Sequence, residues 1–530
     1  MVTGQTDRAS AGWQPIRVPT FQSVVRNHAV RAPDAPALVF GVRTTSYAAL
    51  DQLADRAAGL MKETGICAGQ RLLFVGHNCD AVPVLALAAA RIGAVPVPLN
   101  WRLAPEETRA IAHDCNAPLV FATRSFEHIG QSIADETGAK LLDADGLIEL
   151  PQNGNASPVD DVTDSETIAL QVYTSGTTGM PKGAMLSHRA LLGINTVRNR
   201  LDWDCWGPAD VTLVSTPLGH IGAFGMMVRA LFFGGCAVIQ EQFDTEATLD
   251  AIERFRVTKL ALVPTAIKML LDHPSADDVD FSSLDQIIYG SAPITPPLLQ
   301  RAMARFGCRF VQSYGQTETS GPIVALPPVD HDPQGNHRMT GAGHPLPETE
   351  IKVTGPSGTA LPTGETGEIL VRSIANMSGY WNRPAVTDAA LDADGWVHTG
   401  DAGYVDEDGY LYIRSRVKEM IITGAENVYP AEVENALAGH PDVAEVAVIG
   451  VPDPHWGEAV VAIVVPTPGS ACDGNALREW ARPLIAGYKL PKTVHYVPSL
   501  PLAATGKIDK RALAARFAAQ AQGDSDRQAD

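Results

Sequence analysis

The chain runs to 530 residues, 45% of them apolar and 19% charged, which is room for two or more domains with an ample buried core. Its net charge of −19, without any cluster of Lys or Arg, argues against a nucleic-acid-binding surface but leaves a local anion site open. Seven scattered cysteines, odd in number and without CxxC spacing, fit reduced thiols in a cytosol and give no zinc site.

The first residues lack the apolar core of a secretory signal. Arg71 to Val75 (RLLFV) reads as a strand, and Ala81 to Leu99 as a buried helix leading into a buried strand. Pro83, Arg91, Pro96 and Pro98 argue against that stretch as a membrane span. Thr167 to Tyr173 is β-rich, and a helix is expected after Ser187, its N-cap, with Leu191, Ile194 and Val197 on one face. Between them lie Thr174, Ser175, Gly176, Thr177, Thr178, Gly179, Met180, Pro181 and Lys182. The expectation is a flexible loop between a strand end and a helix, whose amides and hydroxyls can surround one anion. It is a phosphate cradle in chemical type. It is not GxxxxGK[ST], because Gly183 follows Lys182 and leaves no hydroxyl there for magnesium.

Thr212 to Ser215 and Ala261 to Val263 continue an alternation of strand and helix that predicts parallel-sheet α/β layers over the first 350 or so residues. From about Glu350 to Tyr412 short strands and Gly/Pro/Asp turns predict a small β-rich subdomain. Pro430 then opens a helix with Val433, Ala436 and Leu437 on one face, followed by strands over Val443 to Val451 and Val460 to Val465. A second helix is expected from Asn475, burying Leu477, Trp480, Ala481 and Leu484. The fold class expected is a large α/β N-terminal domain, 1–415, with a small mobile α+β C-terminal domain, 416–530.

Other segments carry chemistry of their own. In Tyr314-Gly315-Gln316-Thr317-Glu318, a tyrosine offers a flat face for a purine, Thr317 a hydroxyl to phosphate, and Glu318 a hard oxygen for Mg²⁺. Thr399-Gly400-Asp401 reads as a tight turn whose carboxylate can accept from two sugar hydroxyls. Lys507, on the Gly-containing loop Ala504-Thr505-Gly506-Lys507, is a mobile ammonium able to relieve repulsion between two anions.

In this order and spacing, from VPLNWRL (97–103) to TGK (505–507), the segments resemble the adenylate-forming enzymes, which include acyl-CoA synthetases, luciferases and peptide-synthetase adenylation domains. The resemblance implies that residues 174–183 hold the β- and γ-phosphates of ATP, that Tyr314 stacks on adenine, that Thr317 meets the α-phosphate and that Glu318 holds magnesium. Gly290, Ser291, Ala292 and Pro293 would form the opposite adenine wall and part of the acyl pocket. Asp401 and Arg416 would bind the ribose, and Lys507 would be the catalytic lysine. Lys418 falls on the hinge position. Gly424, Ala425 and Glu426 fall on the loop lining the pantetheine channel, with Ala425 where a second glycine is usual. His220 matches the residue beside the substrate carboxylate, a positional gate more than a proton shuttle. Gly219 stands where many members carry an aromatic, and is expected to enlarge or reshape the acyl site.

The resulting expectation is an ATP- and Mg²⁺-dependent carboxylic acid–CoA ligase, forming acyl-AMP and pyrophosphate, then acyl-CoA and AMP. Coenzyme A is the co-substrate. The candidate pocket segments His220–Met226, Leu262–Ala266, Gly290–Pro293 and Tyr314–Gln316 are small and apolar without an obvious counter-ion. They point to an apolar monocarboxylate: medium- or long-chain fatty, aryl or ring-bearing. Two alternatives stand beside this: transfer to a carrier-protein thiol, and a non-catalytic nucleotide or acyl sensor. A cytoplasmic enzyme with no transmembrane segment and no nucleic-acid partner is expected; a homodimer is compatible.

Overall fold

The computed structural model describes residues 18–150, 162–174, 181–198, 200–423, 426–453, 455–470, 473–503 and 508–518. A large N-terminal α/β domain carries a smaller C-terminal domain. Two sheets of the large domain have parallel cores. One is entirely parallel, in the order Val95–Pro98, Arg71–Val75, Leu119–Ala122, Lys140–Asp143. Its inner strand RLLFV is buried on both faces, so it reads as a continuous apolar run without alternation. The helix Ala81–Ile92 is buried along its whole length and stops at Gly93, which takes φ 71°.

The second sheet has nine strands. Parallel strands Pro36–Phe40, Cys236–Ile239, Val211–Val214, Lys259–Leu262, Gln286–Gly290 and Arg309–Gln316 form its body, with antiparallel strands at both edges. A third sheet is a hairpin, Ile168–Thr174 against Lys182–Ser187, joined by the short strand Gly379–Tyr380. A fourth, antiparallel, sheet orders Thr349–Thr354, Gly367–Ser373, Val397–Val405 and Leu411–Arg416, close to the β-rich segment expected.

The hairpin corrects the strand–loop–helix expectation. Thr174 pairs with Lys182, so the Gly/Thr loop joins two antiparallel strands, and the helix His188–Arg198 begins only after the second. The reason lies in Lys182–Ser187 itself, where small and apolar side chains pack into the sheet. Ser187 does cap the helix, its Oγ accepting from the Ala190 N–H at 3.2 Å.

In the smaller domain the strands Glu426–Val428, Ile421–Thr423, Gly457–Pro466 and Val443–Asp453 form one sheet, with Thr493–Tyr496 parallel to the third of these. Helix Pro430–Ala438 buries Val433, Ala436 and Leu437 against it, as expected. The second helix ends sooner than the apolar spacing implies. Gly474–Ala481 buries Leu477 and Ala481 alone, while Trp480 and Leu484 are 42% and 58% exposed. Trp480 keeps its Nε1–H on the Ala436 carbonyl, at 3.1 Å, and lies along the surface as an amphipathic ring does. No helix among the described residues is long and apolar enough to cross a membrane.

Candidate active site

The site forms where strand ends of the large sheet meet the small sheets, and glycines set the approach. A Cβ on Gly290, at the end of Gln286–Gly290, would stand 2.2 Å from the Ser313 carbonyl oxygen of the next strand. A Cβ on Gly315 would stand 2.0 Å from that of Gly321, at a bulge that shifts the register between Tyr314 and Gly315. No side chain fits at either position, so the chain turns tightly into Ser291 (φ 65°) and into the single turn Thr317–Thr319.

Tyr314 leaves the bulge toward the fourth sheet and donates its hydroxyl to Asp401 Oδ2 at 2.6 Å. Burial, reinforced by the Asp401 charge, pushes this phenol far above its ordinary range and keeps it a donor. The expected turn at Asp401 is instead the interior of Val397–Val405, bulged at Gly400, which takes φ 66°. Asp401 faces Arg416 across the ladder; the guanidinium Nε lies 2.9 Å from Oδ1, and its Nη1 donates to the Thr399 carbonyl at 3.1 Å. The carboxylate thus keeps a fixed orientation.

Glu318 and Lys182 come together through a residue that sequence reasoning missed. Tyr380 is 7% exposed, donates its hydroxyl to Glu318 Oε1 at 2.6 Å, and carries Lys182 Nζ 5.2 Å from its ring centroid. Its place is fixed by pairing with Ala184, and Trp381 N–H donates to the Gly183 carbonyl at 2.8 Å. Trp381 in turn lies beneath the Arg71 guanidinium, 3.2 Å from its centroid, and burial lowers that group to about 10. The available signal was Gly379-Tyr380-Trp381, an aromatic pair after a glycine in a turn-rich stretch.

Gly290, Ser291, Ala292 and Pro293 lie together, and the last two line a cavity of about 60 Å³ with Tyr289, Gln312 and Gly341. The buried Oε1 of Gln312 has no hydrogen-bond partner among the described residues, an acceptor left for an incoming donor. Ala431 and Asn435 of helix Pro430–Ala438 in the smaller domain close the same cavity. Lys418 sits in the single turn Val417–Glu419. Partial burial first, then the cations Arg511, Arg416 and Lys182, lower its ammonium from the usual range.

His220 is the N-cap of helix Ile221–Phe233, and its Nε2 lies 3.1 Å from Asn100 Nδ2. Gly219 adds no open volume, against the enlargement that was one half of the expectation. A Cβ there would stand 2.6 Å from the backbone of Leu99 and Asn100, so the missing side chain is space taken by main chain. Thr174 pairs in its hairpin and Glu426 in the strand Glu426–Val428. Ser175, Gly176, Thr177, Thr178, Gly179, Gly424, Ala425 and Lys507 lie outside the described residues. Among the described residues no cluster of three or more His, Cys, Asp or Glu could hold a metal ion. Glu318 alone suits a magnesium ion that takes its other ligands from water and phosphate.

A family model described as AMP-binding enzyme matches residues 25–381, and one described as AMP-binding enzyme C-terminal domain matches 432–507. Fatty acid–[acyl-carrier-protein] ligase ScoC of Streptomyces coeruleorubidus is 37% identical over 507 residues, covering 94% of this chain and 97% of the relative. Feruloyl-CoA synthase of an Amycolatopsis species is 40% identical over 488 residues, covering 92% and 96%. Among solved structures, amide bond synthetase McbA of Marinactinospora thermotolerans superposes with a TM-score of 0.85 at 31% identity, covering 94% of this chain and 99% of that one. O-succinylbenzoate coenzyme A synthetase (MenE) of Bacillus subtilis, in complex with ATP and magnesium ion, gives 0.80 at 28% identity, covering 92% and 98%.

Proposed function

The chain belongs to the AMP-binding enzyme family, and from that membership and the site's geometry we propose that it is an ATP-dependent carboxylic acid–CoA ligase. The observation that carries this reading is the convergence of Tyr314, Asp401 and Arg416 on one side and Glu318, Tyr380 and Lys182 on the other. The first group suits an adenosine: a ring face, and a carboxylate preorganised for ribose hydroxyls. The Gln312 oxygen adds an acceptor for an exocyclic amine. The second suits a polyphosphate: an ammonium held beside the carboxylate that would hold magnesium, whose charge would offset that of the phosphates.

In the first step a carboxylate oxygen bonds to the α-phosphorus of ATP and the bond to the β-phosphate oxygen breaks, releasing pyrophosphate. Lys507 would approach both anions and lower their repulsion. In the second step a thiol, its proton lost to solvent or base, attacks the acyl carbon and expels AMP. We place the domain boundary at 415/416 and the pivot at Lys418. A rotation there would remove Lys507 and bring Gly424, Ala425 and Glu426 to the thiol. Around Lys418 the cations Arg511, Arg416 and Lys182 outweigh the carboxylate of Glu419, which favours a hinge that no ion pair locks.

The acid we assign is an apolar monocarboxylate, fatty or aromatic, as the names of both relatives suggest. The similarity to ScoC specifically favours a second acceptor, a carrier-protein thiol. The test is a panel of fatty, aryl and arylalkanoic acids scored by exchange of labelled pyrophosphate into ATP. Acyl-AMP from the best acid is then offered to CoA and to a phosphopantetheinylated carrier. CoA thioester as the faster product supports the ligase; the carrier as the faster acceptor replaces it. No exchange with any acid rejects adenylation itself. A cytoplasmic location is part of the reading and rests on the scattered cysteines of the sequence.

A further inference from the structure

The VPLNWRL segment is left without a role by the chemistry above, yet its backbone is packed against the loop that delivers His220. Asn100 leaves the C-terminal end of strand Val95–Pro98, in the all-parallel sheet, and is 7% exposed. His220 leaves the nine-stranded sheet after Val211–Val214. The two meet through side chains, Nδ2 of Asn100 to Nε2 of His220 at 3.1 Å.

The amide has only one orientation consistent with its neighbours. Asn100 Oδ1 accepts the Arg102 backbone N–H at 3.1 Å, and only an oxygen can do so. The NH₂ group is therefore the part that faces His220, and His220 Nε2 must present its lone pair. The ring N–H then lies on Nδ1, and an N–H is what a carboxylate oxygen requires of a neighbour.

The main chain is arranged for this contact. With any side chain at 219, the Cβ would meet Asn100 N at 2.6 Å and the Leu99 carbonyl oxygen at 2.8 Å. A second asparagine of the same sheet holds the other end of the loop. Asn78, 3% exposed, donates to the Thr216 carbonyl at 2.9 Å and accepts the Leu218 N–H at 2.7 Å. Two buried amides thus clamp residues 216–220 from one side, and one of them also selects a tautomer.

We propose that Asn100 is a positioning residue, which fixes His220 with Nε2 as acceptor and Nδ1–H as donor for the carboxylate of the acid substrate. The proposal rests on the ligase reading for what the donor serves, and on the described geometry for the tautomer. The tests separate the two.

Selective ¹⁵N labelling of histidine reads the ring directly in the full chain. The wild type should show a protonated Nδ1 and an acceptor Nε2 for His220, assigned through its loss in His220→Ala. Asn100→Asp, nearly isosteric, replaces the donor by an acceptor and should move the proton to Nε2. An unchanged tautomer in Asn100→Asp overturns the assignment. In pyrophosphate exchange, Asn100→Ala should raise KM for the acid by on the order of 10-fold, with KM for ATP unchanged. In a His220→Ala background the same substitution should have no further effect on that KM. A full-sized effect persisting without His220 marks Asn100 as structural only and overturns the proposal. If wild-type protein exchanges pyrophosphate for none of the acids offered, the ligase reading fails while the ¹⁵N result still decides the tautomer.

Discussion

Tyr380 offers a decisive perturbation, because one atom can be removed without disturbing the rest. Its hydroxyl donates to Glu318 Oε1 at 2.6 Å, while its ring faces Lys182. Tyr380→Phe deletes the oxygen and keeps both the ring and its place in the short strand. A hydrogen bond to a charged group contributes about 1.5–3 kcal/mol. At about 1.4 kcal/mol per decade, its loss should lower acid-dependent pyrophosphate exchange roughly 10- to 100-fold at subsaturating magnesium. The deficit should shrink as magnesium is raised, because the reading assigns the hydroxyl to orienting the carboxylate. Burial, and then the Glu318 charge, hold the phenol far above its ordinary range, so it donates at every practical pH. The deficit should therefore be flat between pH 6.5 and 8.5. The assay is exchange at fixed ATP across a magnesium titration, with a melting curve as control for folding. Wild-type rates for Tyr380→Phe at low magnesium would refute the argument, as would a deficit that magnesium never relieves.

Lys507→Ala should slow acyl-AMP formation by roughly 100-fold or more while sparing thioester formation from supplied acyl-AMP; stopped-flow measurement of each half-reaction decides, and equal loss of both contradicts the division of labour. His188 is fully buried, accepts the Phe21 N–H on Nδ1 at 3.2 Å, and is lowered by burial to about 4. With a folded value below the usual 6.5, its neutral form belongs to the folded state. The resulting stability is complete above about pH 6.5 and is lost as pH falls toward 4, by about 2 kcal/mol between pH 7 and 5. Urea titrations at the two pH values should show this difference narrowing in His188→Gln, and an unchanged pH dependence would count against it.

Much of the fold was legible because it depends on burial patterns that a single segment carries. RLLFV, the all-buried Ala81–Ile92 and the Pro430 helix each declare their state locally. The hairpin was not legible, because GAML is short enough to read as part of a loop, and its pairing with Ile168–Thr174 is decided by tertiary contact. The Asp401 turn failed for a related reason. A Thr-Gly-Asp triplet is turn chemistry, and only the neighbouring strands convert it into a bulged strand interior. Within the candidate site, the motifs singled out Tyr314, Glu318, Asp401 and Arg416, which the structure ties together, while Tyr380 and Asn100 were not given roles. Each acts on another side chain across a long sequence separation, 62 residues for Tyr380 and Glu318 and 120 for Asn100 and His220. Local spacing holds no trace of such pairs. Gly219 shows the converse error: a missing side chain was read as free space, when the space is filled by the main chain of Leu99 and Asn100.

The same pairings explain why the site is distributed over four sheets. In the ligase reading proposed above, Asp401 and Glu318 are carboxylates at the edge of a polyanion's site, and two such charges would repel the ligand if they could swing freely toward it. Each is restrained by a donor from another sheet, Asp401 by Tyr314 and Glu318 by Tyr380, and Asp401 also by Arg416 of the neighbouring strand in its own sheet. Asp401 shares its charge with Arg416, which in that reading suits it to neutral ribose hydroxyls. Glu318 is tied to a neutral phenol, so it keeps its full charge for a divalent cation. A guanidinium in place of Tyr380 would neutralise Glu318 and compete with the cation, whereas a phenol orients it without competing. On that reading the choice of partner, cationic for Asp401 and neutral for Glu318, is what would let two carboxylates serve one anionic nucleotide.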